Sequence, residues 1–249
     1  RAHYHRFELP LISAPVQFPS KLVPLDPYAL GLLLGDGCLT GTTTPSFTTS
    51  DAELAHALGE ALEGIEVTRK SKIDYVLRNA NGSRGGVIVA NPITTVLREL
   101  NLCGTRSSTK FVPEAYLYNS TDVRLAVLQG LLDTDGGPVR QDGRACRIHY
   151  STTSVRLRDD VIFLVRSLGG IVYSRSRVAA GRAPGRVRGR DVRHVSDSFI
   201  LDIRLPESLQ PFRLSRKLER YQQTGGGHPV RYLESIERIG KHEAVCIRV

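Results

Sequence analysis

The chain has 249 residues, enough for one large domain or two small ones around a sizeable core. Its 34 Lys and Arg against 25 Asp and Glu give a formal charge of +9, which favours an anionic partner. No apolar run approaches the length of a membrane span, no secretory signal pattern opens the chain, and the cysteines at 38, 103, 146 and 246 form no zinc-ligand spacing. These features predict a reduced, cytoplasmic protein with no membrane partner, and the missing initiator Met predicts a fragment or a piece cut from a longer precursor.

Residues 1–27 carry five prolines, so Phe7 to Ile12 reads as extended and no long helix forms there. Asp26-Pro27 reads as a helix cap with proline at the first position, followed by a helix over Tyr28–Leu34 that ends at Gly35–Gly37, where glycine tolerates unusual dihedrals. Pro45–Thr49 is β-prone, Ser50 and Glu53 match a capping box, and a helix is expected over Ala52–Leu62. Gly64–Thr68 and Ile73–Arg78 predict a β-pair, Gly86–Val89 another strand, and Pro92–Leu100 a helix before an irregular stretch over 103–121. Ser174–Arg193 contains seven arginines and reads as a solvated loop, or as an arm or hairpin that contacts DNA. Thr224–His228 reads as a linker, and Tyr232–Val249 as two short strands.

Two short segments stand out. Ala29-Leu30-Gly31-Leu32-Leu33-Leu34-Gly35-Asp36-Gly37 and Leu128-Gln129-Gly130-Leu131-Leu132-Asp133-Thr134-Asp135-Gly136 are each an apolar run with small residues four apart, closed by Asp-Gly. Phe47–Ser50 is echoed by Tyr150–Ser154, Gly64-Ile65 by Gly170-Ile171, and Val112-Pro113-Glu114 by Leu205-Pro206-Glu207, which predicts an internal repeat. Either Asp-Gly pair alone reads as a turn after a core helix. If the two helices pack through their small residues, Asp36 and Asp135 emerge together, and a divalent cation offsets their repulsion. On a basic chain this pattern points to metal-dependent chemistry on nucleic acid. Asp133 faces Leu34 in the comparison of the two segments and reads as a structural carboxylate.

The paired segments resemble the signatures of LAGLIDADG homing endonucleases, specifically the single-chain kind embedded in inteins, with a match spanning about 28–222. The resemblance implies an α+β fold of two αββαββα halves related by pseudo-twofold symmetry, each offering a curved antiparallel sheet to duplex DNA. It implies Asp36 and Asp135 as catalytic acids binding Mg²⁺, with Mn²⁺ as a substitute and Gly35 and Thr134 as neighbouring metal-site positions. Lys110, ahead of Phe111-Val112-Pro113, resembles the basic residue of the first half. In the second half the position before Leu205-Pro206 is Ile203, next to Arg204, and Lys217 is the other candidate. Arg69, Lys70, Lys72, Arg78, Arg84, Gln141, Arg144, Arg147, Arg175 and Arg177 are the expected contacts to double-stranded DNA, with which the protein would sit on the nucleoid.

The flanks resemble an intein splicing domain, as in mycobacterial replicative helicase inteins, and Cys246 resembles the cysteine that attacks the upstream junction in that group. The implied division is 1–27 as an N-terminal splicing flank, 28–121 and 122–224 as the endonuclease halves, and 225–249 as a C-terminal splicing flank. The expected protein is a monomer whose partners are DNA and the host segments of its precursor. The alternatives are a cleavage-impaired DNA-binding scaffold, or a splicing element active only in the full precursor.

Overall fold

The computed structural model describes residues 7–41, 44–82, 89–139, 146–187, 190–193, 195–223 and 229–245. Strand β1 (Glu8–Leu9) precedes an N-terminal run of helices and strands: α1 (Pro27–Asp36), β2 (Gly37–Cys38), β3 (Ser46–Thr48), α2 (Ala52–Ala61), β4 (Ile65–Arg69), β5 (Asp74–Asn79), α3 (Pro92–Glu99) and the short α4 (Glu114–Leu117). The second run is α5 (Thr121–Asp135), β6 (Gly136–Val139), β7 (Arg147–Thr152), α6 (Val155–Ser167), β8 (Ile171–Arg177), β9 (Gly185–Val187), β10 (Arg190–Val192), β11 (Ser198–Arg204) and α7 (Ser215–Gln223), and β12 (Arg231–Tyr232) follows. Up to α3, and from α5 to α7 with the β9–β10 hairpin set aside, both runs read αββαββα. The two four-stranded antiparallel sheets have corresponding orders, β2-β3-β5-β4 and β6-β7-β11-β8.

Helix α1 begins where Asp26 accepts the Ala29 amide and Pro27 takes the first turn, which needs no amide donor. It is apolar on every face and accordingly buried, from Tyr28 through Leu34. Its partner is α5, and the two axes meet at glycines. A Cβ on Gly31 would lie 2.4 Å from the Val127 carbonyl oxygen, and one on Gly130 would lie 2.5 Å from that of Tyr28. Even one extra carbon at either position would force the backbones apart, so these glycines serve close approach. At Gly37 the constraint lies within α1 itself, and its φ of −76° is ordinary, contrary to the unusual dihedrals expected there. A Cβ on Gly37 would meet the Leu33 carbonyl at 2.4 Å.

Several sequence expectations are corrected. Asp51, not Ser50, precedes α2, and Glu53 makes no capping box but reaches Ser215 at the start of α7. The stretch 103–121 contains α4, whose buried Tyr116 donates its hydroxyl to the Leu25 carbonyl at 2.9 Å. Of the readings of the arginine-rich stretch, the solvated loop gives way to the hairpin: it supplies the end of β8 and the β9–β10 pair. Of the two strands expected near the C-terminus, the described residues contain only β12, which pairs antiparallel with β1. Gly86–Val89 lies mostly outside the described residues, as does Thr224–His228.

The N-terminal stretch is bound to the second run before it enters α1. Val16 donates its amide to the Ser167 carbonyl at 2.8 Å, and Phe18 packs against Tyr118 and Phe163. Arg124, fully buried, holds this junction through the carbonyls of Val16, Asn119 and Ser167 and the hydroxyls of Ser167 and Thr121. No described helix is long and apolar enough to cross a membrane.

Candidate active site

Helices α1 and α5 end side by side, and each hands its last residue, Asp36 or Asp135, to one open cleft of about 330 Å³. Gly35, Lys110, Ser151, Thr152, Thr153 and Ser198 also line it. The close approach continues to this end, because a Cβ on Gly35 would fall 2.5 Å from the Cβ of Thr134. The Asp135 carboxylate reaches solvent, yet the surrounding protein pushes its pKa up to about 6, through loss of water first and the charge of Asp36 second. Asp36 is also held above the usual carboxylate range, again mainly by burial, with Lys110 and Lys217 opposing.

Those two lysines are the structural key to the cleft. The Nζ of Lys110 donates to the carbonyls of Leu33, Gly35 and Gly37 at 3.1, 3.0 and 2.7 Å. The Nζ of Lys217 donates to those of Leu132, Asp133, Thr134 and Gly136 at 3.0, 2.5, 3.3 and 2.6 Å. A helix C-terminus leaves carbonyls without intrahelical donors and carries partial negative charge, so a buried ammonium satisfies both needs. Burial lowers both ammonium pKa values to about 8, opposed at Lys110 by Asp135 and Asp36 and at Lys217 chiefly by Asp133.

Lys217 is delivered by α7, and polar residues of α5 set the segment before it. Asp133 accepts the Tyr28 hydroxyl at 2.8 Å and the amides of Arg213 and Leu214 at 2.9 and 3.1 Å. Gln129 donates to the Gln210 carbonyl and accepts from Arg213. Asp133 is therefore built into the scaffold. Ile203, which matches Lys110 in the Leu205-Pro206 echo, does not contribute, because it is buried in the core and pairs with Ile148 and Val172.

A divalent cation fits the donor set. Two carboxylates share a cleft in which each is reluctant to ionise, and their oxygens match the preference of Mg²⁺ for one or two carboxylates with water and phosphate completing the shell. No cluster of three acidic, histidine or cysteine ligands occurs among the described residues. The Gly35 and Thr134 carbonyls already accept from the lysines and retain a second lone pair each. The Thr134 hydroxyl turns back to the Gly130 and Leu131 carbonyls.

The outer faces of the two sheets flank this end of the helices. In the second sheet, alternation buries Ile148, Tyr150, Leu201 and Ile203 and places Arg147, Asp202, Arg175 and Arg177 on the opposite face. Asp202 sits between Arg147 at 3.3 Å and Arg175 at 3.9 Å. His149 and Arg204, absent from the expected contacts, share this face, and the alternation of Ser198–Arg204 is the signal that would have placed the latter. In the first sheet, Arg78 lies on the open face opposite Glu66. Arg69 folds back on its own turn, donating to the Ser71 and Lys72 carbonyls, beside exposed Lys70. Arg84, Gln141, Arg144 and Cys246 lie outside the described residues.

Comparison with known proteins adds to this geometry. A LAGLIDADG-like domain matches residues 122–196. The chain is 31% identical over 190 residues to a replicative DNA helicase DnaB of Rhodothermus marinus, covering 72% of this chain and 19% of that protein. It is 29% identical over 202 residues to the DnaB of Mycobacterium intracellulare, covering 81% and 27%. The chain thus spans roughly a fifth to a quarter of the length of these relatives. A crystal structure of I-DmoI in complex with DNA and Mn overlays with a TM-score of 0.42 at 15% identity, covering 81% of this chain and 95% of that one.

Proposed function

From a chain that carries a LAGLIDADG-like domain and aligns with replicative DNA helicases, we propose a site-specific double-stranded DNA endonuclease housed in an intein. The observation that carries this reading is the convergence of Asp36 and Asp135 in one cleft, at the ends of two helices each capped by a buried lysine. The two αββαββα runs are read as a duplication with a pseudo-twofold axis between α1 and α5, so that one carboxylate serves each DNA strand. The boundaries 28–121 and 122–224 follow as the endonuclease halves.

Asp36 and Asp135 would hold Mg²⁺, or Mn²⁺ in its place, with the Gly35 and Thr134 carbonyls beside them. Bound there, the cation would supply charge stabilisation at the scissile phosphate and lower the pKa of its water. The chain's own contribution is to fix the two carboxylates at the helix ends. Lys110 and Lys217 neutralise the carbonyl-rich termini and present positive charge beside a polyanion. Arg147, Arg175 and Arg177, with Arg78, Lys70 and Lys72 on the other sheet, would bind phosphates and base edges.

The β1–β12 pair brings residues 8–9 and 231–232 together, which supports 1–27 and 225–249 as two pieces of one host fold. Cys246 is proposed as the splicing nucleophile of the complete precursor. The test is cleavage of a DNA library that contains the uninterrupted helicase insertion site, in Mg²⁺ and in Ca²⁺. Mg²⁺-dependent double-strand cleavage, lost in both Asp36→Asn and Asp135→Asn, supports the reading. Specific binding without cleavage in Mg²⁺ replaces it with the cleavage-impaired scaffold.

A further inference from the structure

Each of the two capping lysines is held in place from across the α1–α5 interface. The segment that carries Lys110 belongs to the first run, yet the start of α6 in the second run grips it. Ser154 donates its hydroxyl to the Lys110 carbonyl at 2.6 Å while capping the Leu157 amide. Asp160 accepts the Val112 amide at 2.7 Å, and the Arg156 guanidinium lies 3.8 Å from the Phe111 ring centroid. Conversely, α7 belongs to the second run, and the start of α2 in the first run grips it. Glu53 accepts both the amide and the hydroxyl of Ser215, at 3.0 and 2.7 Å. Asp51 accepts two hydrogen bonds from Arg216, at 2.8 and 2.7 Å. Asp51 and Ser154 occupy the same station, the residue before the second helix of each run.

None of these contacts is required to close either sheet or to pack α1 on α5. They fasten the residues next to each lysine: Ser215 and Arg216 before Lys217, and Phe111 and Val112 after Lys110. Two carboxylates at a helix start, one of them paired to an arginine in fork geometry, make a directional hold. We infer that the two grips form a reciprocal clasp in which Asp51 and Glu53 position Lys217, and Ser154 and Asp160 position Lys110. Each half of the molecule thereby holds the lysine that caps the other half's carboxylate-bearing helix. The chemical consequence, that each grip governs cleavage of one DNA strand, rests on the endonuclease reading.

The clasp is tested without reference to DNA by reductive methylation of the full chain, with each lysine's labelling rate mapped by peptide mass. The variants are D51A/E53A and S154A/D160N, used at a temperature where circular dichroism shows both folded. The expected result is that D51A/E53A labels Lys217 about tenfold faster and leaves Lys110 protected, while S154A/D160N does the reverse. Exchanging the charges in D51R/R216D, with Glu53 intact, restores protection of Lys217. Protection unchanged in both variants, or both lysines exposed together, overturns the inference. On cleavable DNA, D51A/E53A should slow nicking of one strand and S154A/D160N that of the other, and equal slowing of both strands by each variant overturns the strand assignment. If the wild-type chain cuts no DNA while the labelling pattern holds, the endonuclease reading fails and the clasp stands.

Discussion

Lys110 and Lys217 make matching bonds from different elements of the fold. The carbonyls of Leu33, Gly35 and Gly37 correspond along the paired segments to those of Leu132, Thr134 and Gly136, and one ammonium serves each set. Lys110 lies in a loop before α4, whereas Lys217 lies in the first turn of α7. Replacing either by Met keeps the aliphatic stem and removes the ammonium from the Gly35 and Gly37 carbonyls, or from those of Asp133, Thr134 and Gly136, while Leu33 and Leu132 still accept the Gly37 and Gly136 amides. Each variant should lose about 1–3 kcal/mol in urea unfolding, the cost of orphaned buried acceptors. An unchanged midpoint would mean that water enters and takes the ammonium's place.

Proton binding at Asp135 sets a second expectation. Its pKa rises from 3.8 unfolded to about 6 folded, so between those values the folded state holds the extra proton and stability falls as pH increases. A divalent cation competes with that proton. Affinity for Ca²⁺ or Mg²⁺, measured by calorimetry on the DNA-free protein, should therefore strengthen as pH rises through about 6. In Asp135→Asn the rise should flatten. The lysines work in another window: folded near 8 against 10.5 unfolded, each loses its proton first in the folded state, so they raise stability with pH over that interval. A pH profile of metal affinity identical in wild type and Asp135→Asn would remove this carboxylate from the cation site.

The sequence carried the helix pair plainly because small residues four apart and a terminal Asp-Gly are local signals. Gly31, Gly35 and Gly130 sit at the close approach that this spacing implied. What it left open was the second lysine, with Lys217 standing beside the Ile203-Arg204 position as one of two candidates. Matching Val112-Pro113-Glu114 to Leu205-Pro206-Glu207 leads to Ile203, a core residue, because the two runs reach their caps by chains of different length. A shorter echo, Ser108-Thr109-Lys110 against Ser215-Arg216-Lys217, aligns the two ammonium groups. The clasp was hidden for a related reason. Glu53 stands where a capping box reads as a local contact, and only the tertiary fold turns it toward Ser215.

The contact of Gly35 with Thr134 gives a test of the helix crossing that distinguishes side chain from backbone. A Cβ on Gly35 would lie 1.9 Å from Thr134 Oγ1 and 2.5 Å from its Cβ. Truncating Thr134 to Ala removes the first clash and keeps the second. Gly35→Ala should therefore destabilise by about 1–3 kcal/mol, as overpacking does, and remain impaired with Thr134→Ala. With Thr134→Gly, which exchanges the small residue between the helices, much of the loss should return, less about 1 kcal/mol for glycine in a helix. Equal recovery with Ala and Gly would show that the helix ends can shift apart.

The open faces of the two sheets differ in charge, and on the endonuclease reading that difference ranks the proposed DNA contacts. The second sheet presents Arg147, Arg175, Arg177 and Arg204 against a single described carboxylate, Asp202. The first presents Arg78 against Glu66 and Asp74 on its strands, with Lys70 and Lys72 confined to the β4–β5 turn, and Asp74 is engaged with Thr48 and Ser71. A polyanion gains most where cations are least offset, so the second sheet should anchor the duplex. Arg175 lies 3.9 Å from Asp202 and is more than half exposed, so its guanidinium is open to an anionic ligand. Arg175→Ala should weaken specific binding by about 1–3 kcal/mol, as loss of an arginine to a guanine edge does, and relax sequence preference at one position. Arg78→Ala, beside Glu66, should cost less than Arg175→Ala in the same fluorescence anisotropy titration at fixed salt. A larger loss for Arg78 would reverse the order and make the first sheet the anchor.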